Sequence, residues 1–448
     1  MFPNPHDALP LPPRPHLEHY KKRAKDLVKA CHSSNPAAIR DWAARWIDSL
    51  VRLADLTITP QLPVRIDHWT DQLETFARDK LSEACTLAAA QFIIARSHGF
   101  ESWPQLAKHL AAITRANSPV NHFELAADAI VTGDLATLEK ILHQNPGLIR
   151  AHSTRRHHAT LLHYISANGV EGYRQKTPAN IVQVAELLLQ SGANVNASAD
   201  IYGGSTTLDL VATSLHPERA GVQDALMQLL LDHGASIDPS NTDLRNGDLP
   251  KQPARGILTA CLANGRFHAA EFLAQRGAKL NLEAAAGLGR LDVVKSFFDE
   301  NNENGKLKPP TTKAQTERAL LWSCEYGQNA VAEFLLQSGV PFEAQAATGQ
   351  TALHWAVIGG HLDTISLLLD RGAPLEAKNS YGATALGQAL WSALHADGRT
   401  DYFPVIETLL KAGAKIEAGT RSWITHEPSS SLIKQRIAKV LERHDLKS

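Results

Sequence analysis

The chain has 448 residues, long enough for a sizeable core and for more than one domain. Its hydrophobic content is 44%, its charged content 20% and its formal net charge −1. Those values are ordinary for a globular protein, and they argue against general binding to nucleic acid or an anionic membrane, which needs a basic excess.

The N-terminus, MFPNPHDALPLPPRPHLEHY, is rich in proline and has no continuous apolar segment. It reads as neither a signal peptide nor a membrane span, so residues 1–15 are expected to form a disordered arm. Residues 16–118 read as a helical region. LEHYKKRAKDLVKA is amphipathic, with Lys21, Lys22, Arg23, Lys25 and Lys29 on its wet faces; ACTLAAAQFIIARSHGF follows, and ESWPQLAKHLAAI closes the region. The four cysteines, Cys31, Cys85, Cys261 and Cys324, are far apart in apolar helical stretches and show no CxxC pair. Four free thiols in a reducing, cytoplasmic compartment are therefore expected.

From about His122 to Ala418 the chain repeats itself. An apolar run, then Gly-Ala, then an alternating tail recurs as LLLQSGANVNA, LLLDHGASID, FLAQRGAKLN, FLLQSGVPFEA, LLLDRGAPLEA and LLKAGAKIEA. The most regular unit is TALHWAVIGGHLDTISLLLDRGAPLEA. Leu353, Ala356 and Val357 share one face of a first helix; Ile365, Leu368 and Leu369 share one face of a second. Gly359 and Gly360 break the chain between them, and Gly372 ends the second helix with a left-handed cap. Such a pair cannot bury its apolar faces alone, so it must stack on neighbours.

This unit resembles an ankyrin repeat. Thr351-Ala352-Leu353-His354 is similar to the family's helix-opening TPLH, with alanine in place of proline; Gly360-His361, Leu367-Leu368-Leu369 and Gly372-Ala373 carry the rest. The resemblance implies an all-α solenoid of eight helix pairs over residues 119–418, the fifth lacking a normal hairpin. AQFIIARSHGFESWPQLAKHL resembles the helical leader of some bacterial ankyrin-repeat proteins, here expected to cap the first repeat. SLIKQRIAKVLERH, within residues 419–448, is expected to cap the last.

The repeats are interrupted by inserts near 170–180, 214–221, 301–312 and 394–403. In the second unit VEGYRQKTP enlarges the turn between the helices; the third has SLHPERAG. Inserts at adjacent turns should emerge side by side as a rim lobe offering Glu171, Tyr173, Arg174, Lys176, His216, Glu218 and Arg219. Loops on a rigid scaffold commonly carry function, and tyrosine and arginine are frequent interface anchors. The blander expectation is solvated decoration, or loops packing on each other through Glu–Arg pairs. Tyr202 and Tyr381 occupy matching hairpin positions, and Tyr326 and Trp391 fall near the ends of first helices, where side chains should face the groove. Trp322 and Trp355 are expected to pack between repeats.

His152, His157, His158 and His163 crowd one hairpin, but no cysteine or carboxylate joins them, so neither a metal nor a cofactor is expected. GxSxG, GxxxxGK[ST] and HExxH motifs are absent. The function expected from the resemblance is non-catalytic recognition of a protein or peptide in the concave groove and rim loops, with no nucleic acid and no membrane as partner. The alternative is a small-molecule site or enzyme built from the inserted loops of repeats two and three. Glu171, His216, Tyr173 and Arg174 would then be its catalytic candidates.

Overall fold

The computed structural model describes residues 7–12, 15–53, 62–115, 117–238, 256–299, 306–395, 400–427, 429 and 431–445. The chain forms two compact units, residues 1–272 and 273–448. The fold class is the expected all-α repeat solenoid. Apart from isolated bridges, the only strands among the described residues are Ser198–Ala199 and Ser205–Thr206, an antiparallel pair in register Ser198 to Thr206.

The first unit opens with five helices: Leu17–Cys31, Ala38–Leu53, Leu62–Glu83, Leu87–Ser97 and Trp103–Ile113. Their apolar stripes meet in a core of Trp42, Trp46, Trp69, Leu27, Ile93, Ile94, Phe100 and Leu106. His98 is fully buried there, edge-on to Tyr20 and Trp46, with Nδ1 3.0 Å from the Leu9 carbonyl. Burial lowers its pKa to about 3, so it stays neutral. The same contact corrects the expectation of a disordered arm for part of its length. Ala8 and Leu9 are buried, and the Leu9 N–H donates to the Ser97 carbonyl at 2.7 Å. Residues 1–6 and 13–14 lie outside the described residues.

A second correction concerns the thiols. Cys31 ends the first helix and Cys85 precedes the fourth, and packing of those helices brings their Cα atoms to 6.3 Å, where they are joined as a disulfide. Cys261 and Cys324 are free and buried. Sequence spacing missed the pair because helix packing, not a local motif, brings the two residues together.

Eight helix pairs follow the five-helix region. In the first unit they begin at Pro119–Thr132 with Leu135–Gln144; then come the 3-10 turn Leu161–Ser166 with Ile181–Gln190, Thr207–Thr213 with Gln223–Asp232, and Ile257–Ala263 with the helix that starts at Phe267. In the second unit they are Leu282–Gly287 with Leu291–Ser296, Lys313–Glu325 with Asn329–Gln337, Ala352–Gly359 with Leu362–Asp370, and Ala385–His395 with Phe403–Lys411. Two helices close the chain, Thr420–His426 and Ser431–Asp445, where one was expected. Ile437, Val440 and Leu441 of the last are buried in the second unit's core.

The local chemistry of the repeats follows their sequence. Thr351 and His354 form a reciprocal cap, with His354 Nδ1 2.9 Å from Thr351 Oγ1, and His354 Nε2 reaches on to the Ala383 carbonyl of the next hairpin at 3.0 Å. Thr160 and His163 repeat the cap in the second pair. Gly359 is needed for a different reason. A Cβ there would lie 2.2 Å from the Glu325 carbonyl oxygen, so its helix can approach the preceding repeat this closely only with glycine. Among the described residues no helix is long and apolar enough to cross a membrane.

Candidate binding groove

The interrupted turn of the second repeat does not form an exposed lobe. Gly172–Arg174 makes a short 3-10 turn that directs its charges inward. Arg174, 4% exposed, donates from Nε to Asp128 Oδ1 at 2.8 Å; its Nη1 lies 2.8 Å from Glu124 Oε2 and 3.6 Å from Glu171 Oε1. Arg155, 1% exposed, pairs with Glu171 and lies 3.2 Å from both Glu124 Oε2 and the Tyr173 hydroxyl. It also donates to the His98 carbonyl at 3.1 Å, tying the five N-terminal helices to the repeats. Burial alone would raise the Glu124 carboxyl, but Arg174 and Arg155 outweigh it and hold the group at about 2. Burial opposes ionisation of Glu171 too, and Arg155 and Arg174 again prevail, placing it well below the usual range.

This corrects the expectation that Glu171, Tyr173 and Arg174 are offered to a partner. They brace the N-terminal helices, the first repeat and the second. A carboxylate held that low between two guanidiniums is a poor proton acceptor at neutral pH, so the geometry gives Glu171 no acid–base role. Lys176 is exposed at the edge of the same turn. His216 and Arg219 are exposed on the separate short helix Leu215–Arg219, whose Glu218 pairs with Arg266. The four clustered histidines each have their own partner: His152 the His158 carbonyl, His157 the Ala159 N–H, His158 the Asp200 carboxylate and His163 Thr160. Among the described residues no group of His, Cys, Asp and Glu side chains gathers as a metal site. Tyr202 is exposed on its hairpin, its hydroxyl 3.2 Å from Asn168 Oδ1.

In the second unit, the first helices of the sixth, seventh and eighth repeats, Lys313–Glu325, Ala352–Gly359 and Ala385–His395, pack in series. The seventh and eighth of these helices, with the start of the helix Thr420–His426, bound a groove of about 1020 Å³, lined by Ile358, Tyr381, Gln388, Trp391, Tyr402 and Trp423 among others. Tyr381 is 77% exposed and Trp391 51%, high values for large rings. Trp391 is held in place by its own helix. Its indole stacks on His395, centroids 4.5 Å apart and 21° from parallel, while His395 Nδ1 lies 2.9 Å from the Trp391 carbonyl. Trp423 Nε1 donates to Glu427 Oε1 at 2.6 Å, and the Tyr402 hydroxyl donates to the Ile358 carbonyl at 2.7 Å. Tyr402 and Trp423 thus have satisfied polar ends, while Tyr381 and Trp391 are the most exposed of the rings.

Of the residues singled out in the sequence, Trp391 and Tyr381 meet in this groove. Tyr326 is half-buried, directly after Glu325 at the end of the sixth repeat's first helix. Sequence reasoning did not select Glu325, Gln388, Tyr402, His395 or Trp423. The signal for Glu325 was present, because it occupies the helical position of Ile358 and Trp391 in the two following repeats. Trp423 had none, since its helix lies beyond the repeat period.

A family model described as ankyrin repeats matches residues 282–379 and 320–420, which covers the fifth to eighth helix pairs. No curated protein sequence matches the chain. Among solved structures, the crystal structure of the human ASB11 ankyrin repeat domain aligns with 65% of this chain and 99% of its own, at 20% identity and a TM-score of 0.32. Apart from Trp423, the residues that line the groove therefore lie within a segment that carries ankyrin repeats, modules that generally mediate protein–protein interactions.

Proposed function

We propose that the protein is a non-catalytic recognition scaffold that seats a protein or peptide segment in the groove of its second unit, over Tyr381, Trp391 and Trp423. The observation that carries this reading is the pair of large exposed rings, Tyr381 and Trp391, opening onto one concave apolar surface. Rigid aromatic side chains lose little conformational entropy on binding, and such rings are the commonest hot spots of interfaces. The inserted loops of repeats two and three give less support to a catalytic site, because Glu171, Arg174 and Glu218 are already paired.

The test is to select binders from a displayed random peptide library on the full chain and to measure them against Tyr381→Ala with Trp391→Ala. Truncating two interface anchors should weaken the selected peptides at least about tenfold. Binders that ignore both substitutions would place recognition elsewhere on the protein.

A further inference from the structure

We propose that the segment seated in this groove is basic, with a lysine or arginine side chain that pairs with Glu325 while a neighbouring apolar side chain packs among Trp391, Tyr381 and Trp423. This rests on the groove reading above and names the partner's chemistry.

Three observations carry it. The first is placement. Glu325, Ile358 and Trp391 stand at the same position of three helices that pack in series, so they form one row, and Ile358 and Trp391 already line the groove. Glu325 is fixed at the next place in that row. Its carbonyl accepts from His361 Nε2 at 2.9 Å, and Gly359 packs directly against the same oxygen.

The second is the missing counter-charge. Among the described residues no cation pairs with the Glu325 carboxylate, and burial is what acts on it, pushing it up to about 7. Glu325 is half-buried, whereas Glu283, a buried carboxylate of the same unit, has Arg318 as its basic partner at 2.7 Å. A partly desolvated, unpaired carboxylate gains from a cation brought by a ligand.

The third is charge over a longer range. The sequence contains no lysine or arginine between Arg318 and Arg371, while Glu325, Glu333, Glu343, Asp363 and Asp370 fall within that span. Within that span the protein therefore supplies no lysine or arginine to compete with, or repel, a basic segment, and the two arginines that bound it are paired with Glu283 and Glu333. The aromatic faces add to the fit. The aliphatic stem of a lysine or arginine packs on a ring, and its charged head is attracted to the ring's negative face.

The experiment uses the full chain and peptides enriched from the random library. Enriched sequences should carry lysine or arginine beside an apolar residue. In the best of them, replacing the basic residue by glutamine should weaken binding at least about tenfold, as expected for a largely desolvated charge pair. Glu325→Gln should weaken the parent peptide equally and make the lysine-to-glutamine change in the peptide nearly silent. The peptide arm alone decides the matter even if that variant is poorly folded. Enriched peptides without a basic residue that still depend on Trp391 would overturn this inference and leave the groove reading standing. Peptides indifferent to Trp391, or a library with no enriched sequence, would overturn both.

Discussion

Arg174→Ala should destabilise the first unit by about 3–5 kcal/mol, the usual effect of removing one partner of a buried pair. Arg174 is nearly inaccessible and lies between Glu124, Glu171 and Asp128. Its loss leaves Arg155 as the remaining guanidinium beside the two buried carboxylates. Asp128 is more than half exposed, so water replaces that contact and it contributes little. The effect should be localised, because the two units need not unfold together. Hydrogen exchange followed over residues 119–190, with urea unfolding of the whole chain, measures it. Glu124→Gln made alone and together with Arg174→Ala closes a double-mutant cycle, and the pair should be less damaging than the sum of the singles. Acid gives an independent check. The Glu124 and Glu171 carboxyls are depressed in the folded state, so their stabilisation is complete above the unfolded value near 4.5. It should be lost as pH falls from there toward about 2, the folded value of Glu124. A change below about 0.5 kcal/mol on Arg174→Ala, the range of ordinary surface substitutions, would refute the brace and return the turn to decoration.

Glu325 gives a prediction of opposite sign. Its carboxyl is raised by burial, so the folded state is favoured below about pH 4.5 and loses that advantage as pH rises through about 7. His361, whose ring lies against the Glu325 carbonyl, has its own pKa lowered by burial, which favours the neutral imidazole. Glu325→Gln should match the wild type near pH 4 and exceed it at pH 8 by up to about 3 kcal/mol in urea unfolding, and equal stabilities at pH 8 would show the carboxylate to be well solvated. Thiol counting on the denatured, unreduced protein should find Cys261 and Cys324 only, while four reactive thiols would dissolve the Cys31–Cys85 pair.

The repeat architecture was legible in the sequence because its causes are local. Periodic leucines, the Thr-x-x-His caps and a glycine after six of the eight second helices act within one unit, and the unit must then stack to bury its faces. Trp391 could be directed toward the groove and Tyr381 assigned to a hairpin by the same logic, since repeat position fixes direction. The interrupted turn could not be read this way. ANGVEGYRQKTPAN shows charged residues at a loop, and a loop's charges are ordinarily solvated; only packing shows that Glu124 and Arg155 await them in neighbouring segments. The Cys31–Cys85 pair and the place of Trp423 beside the groove are likewise products of helix packing across long stretches of chain, for which no short-range pattern exists. Glu325 stands between the two cases. Its position in the row follows from the repeat, but the lack of a counter-charge is a property of every side chain around it, and that only the folded chain decides.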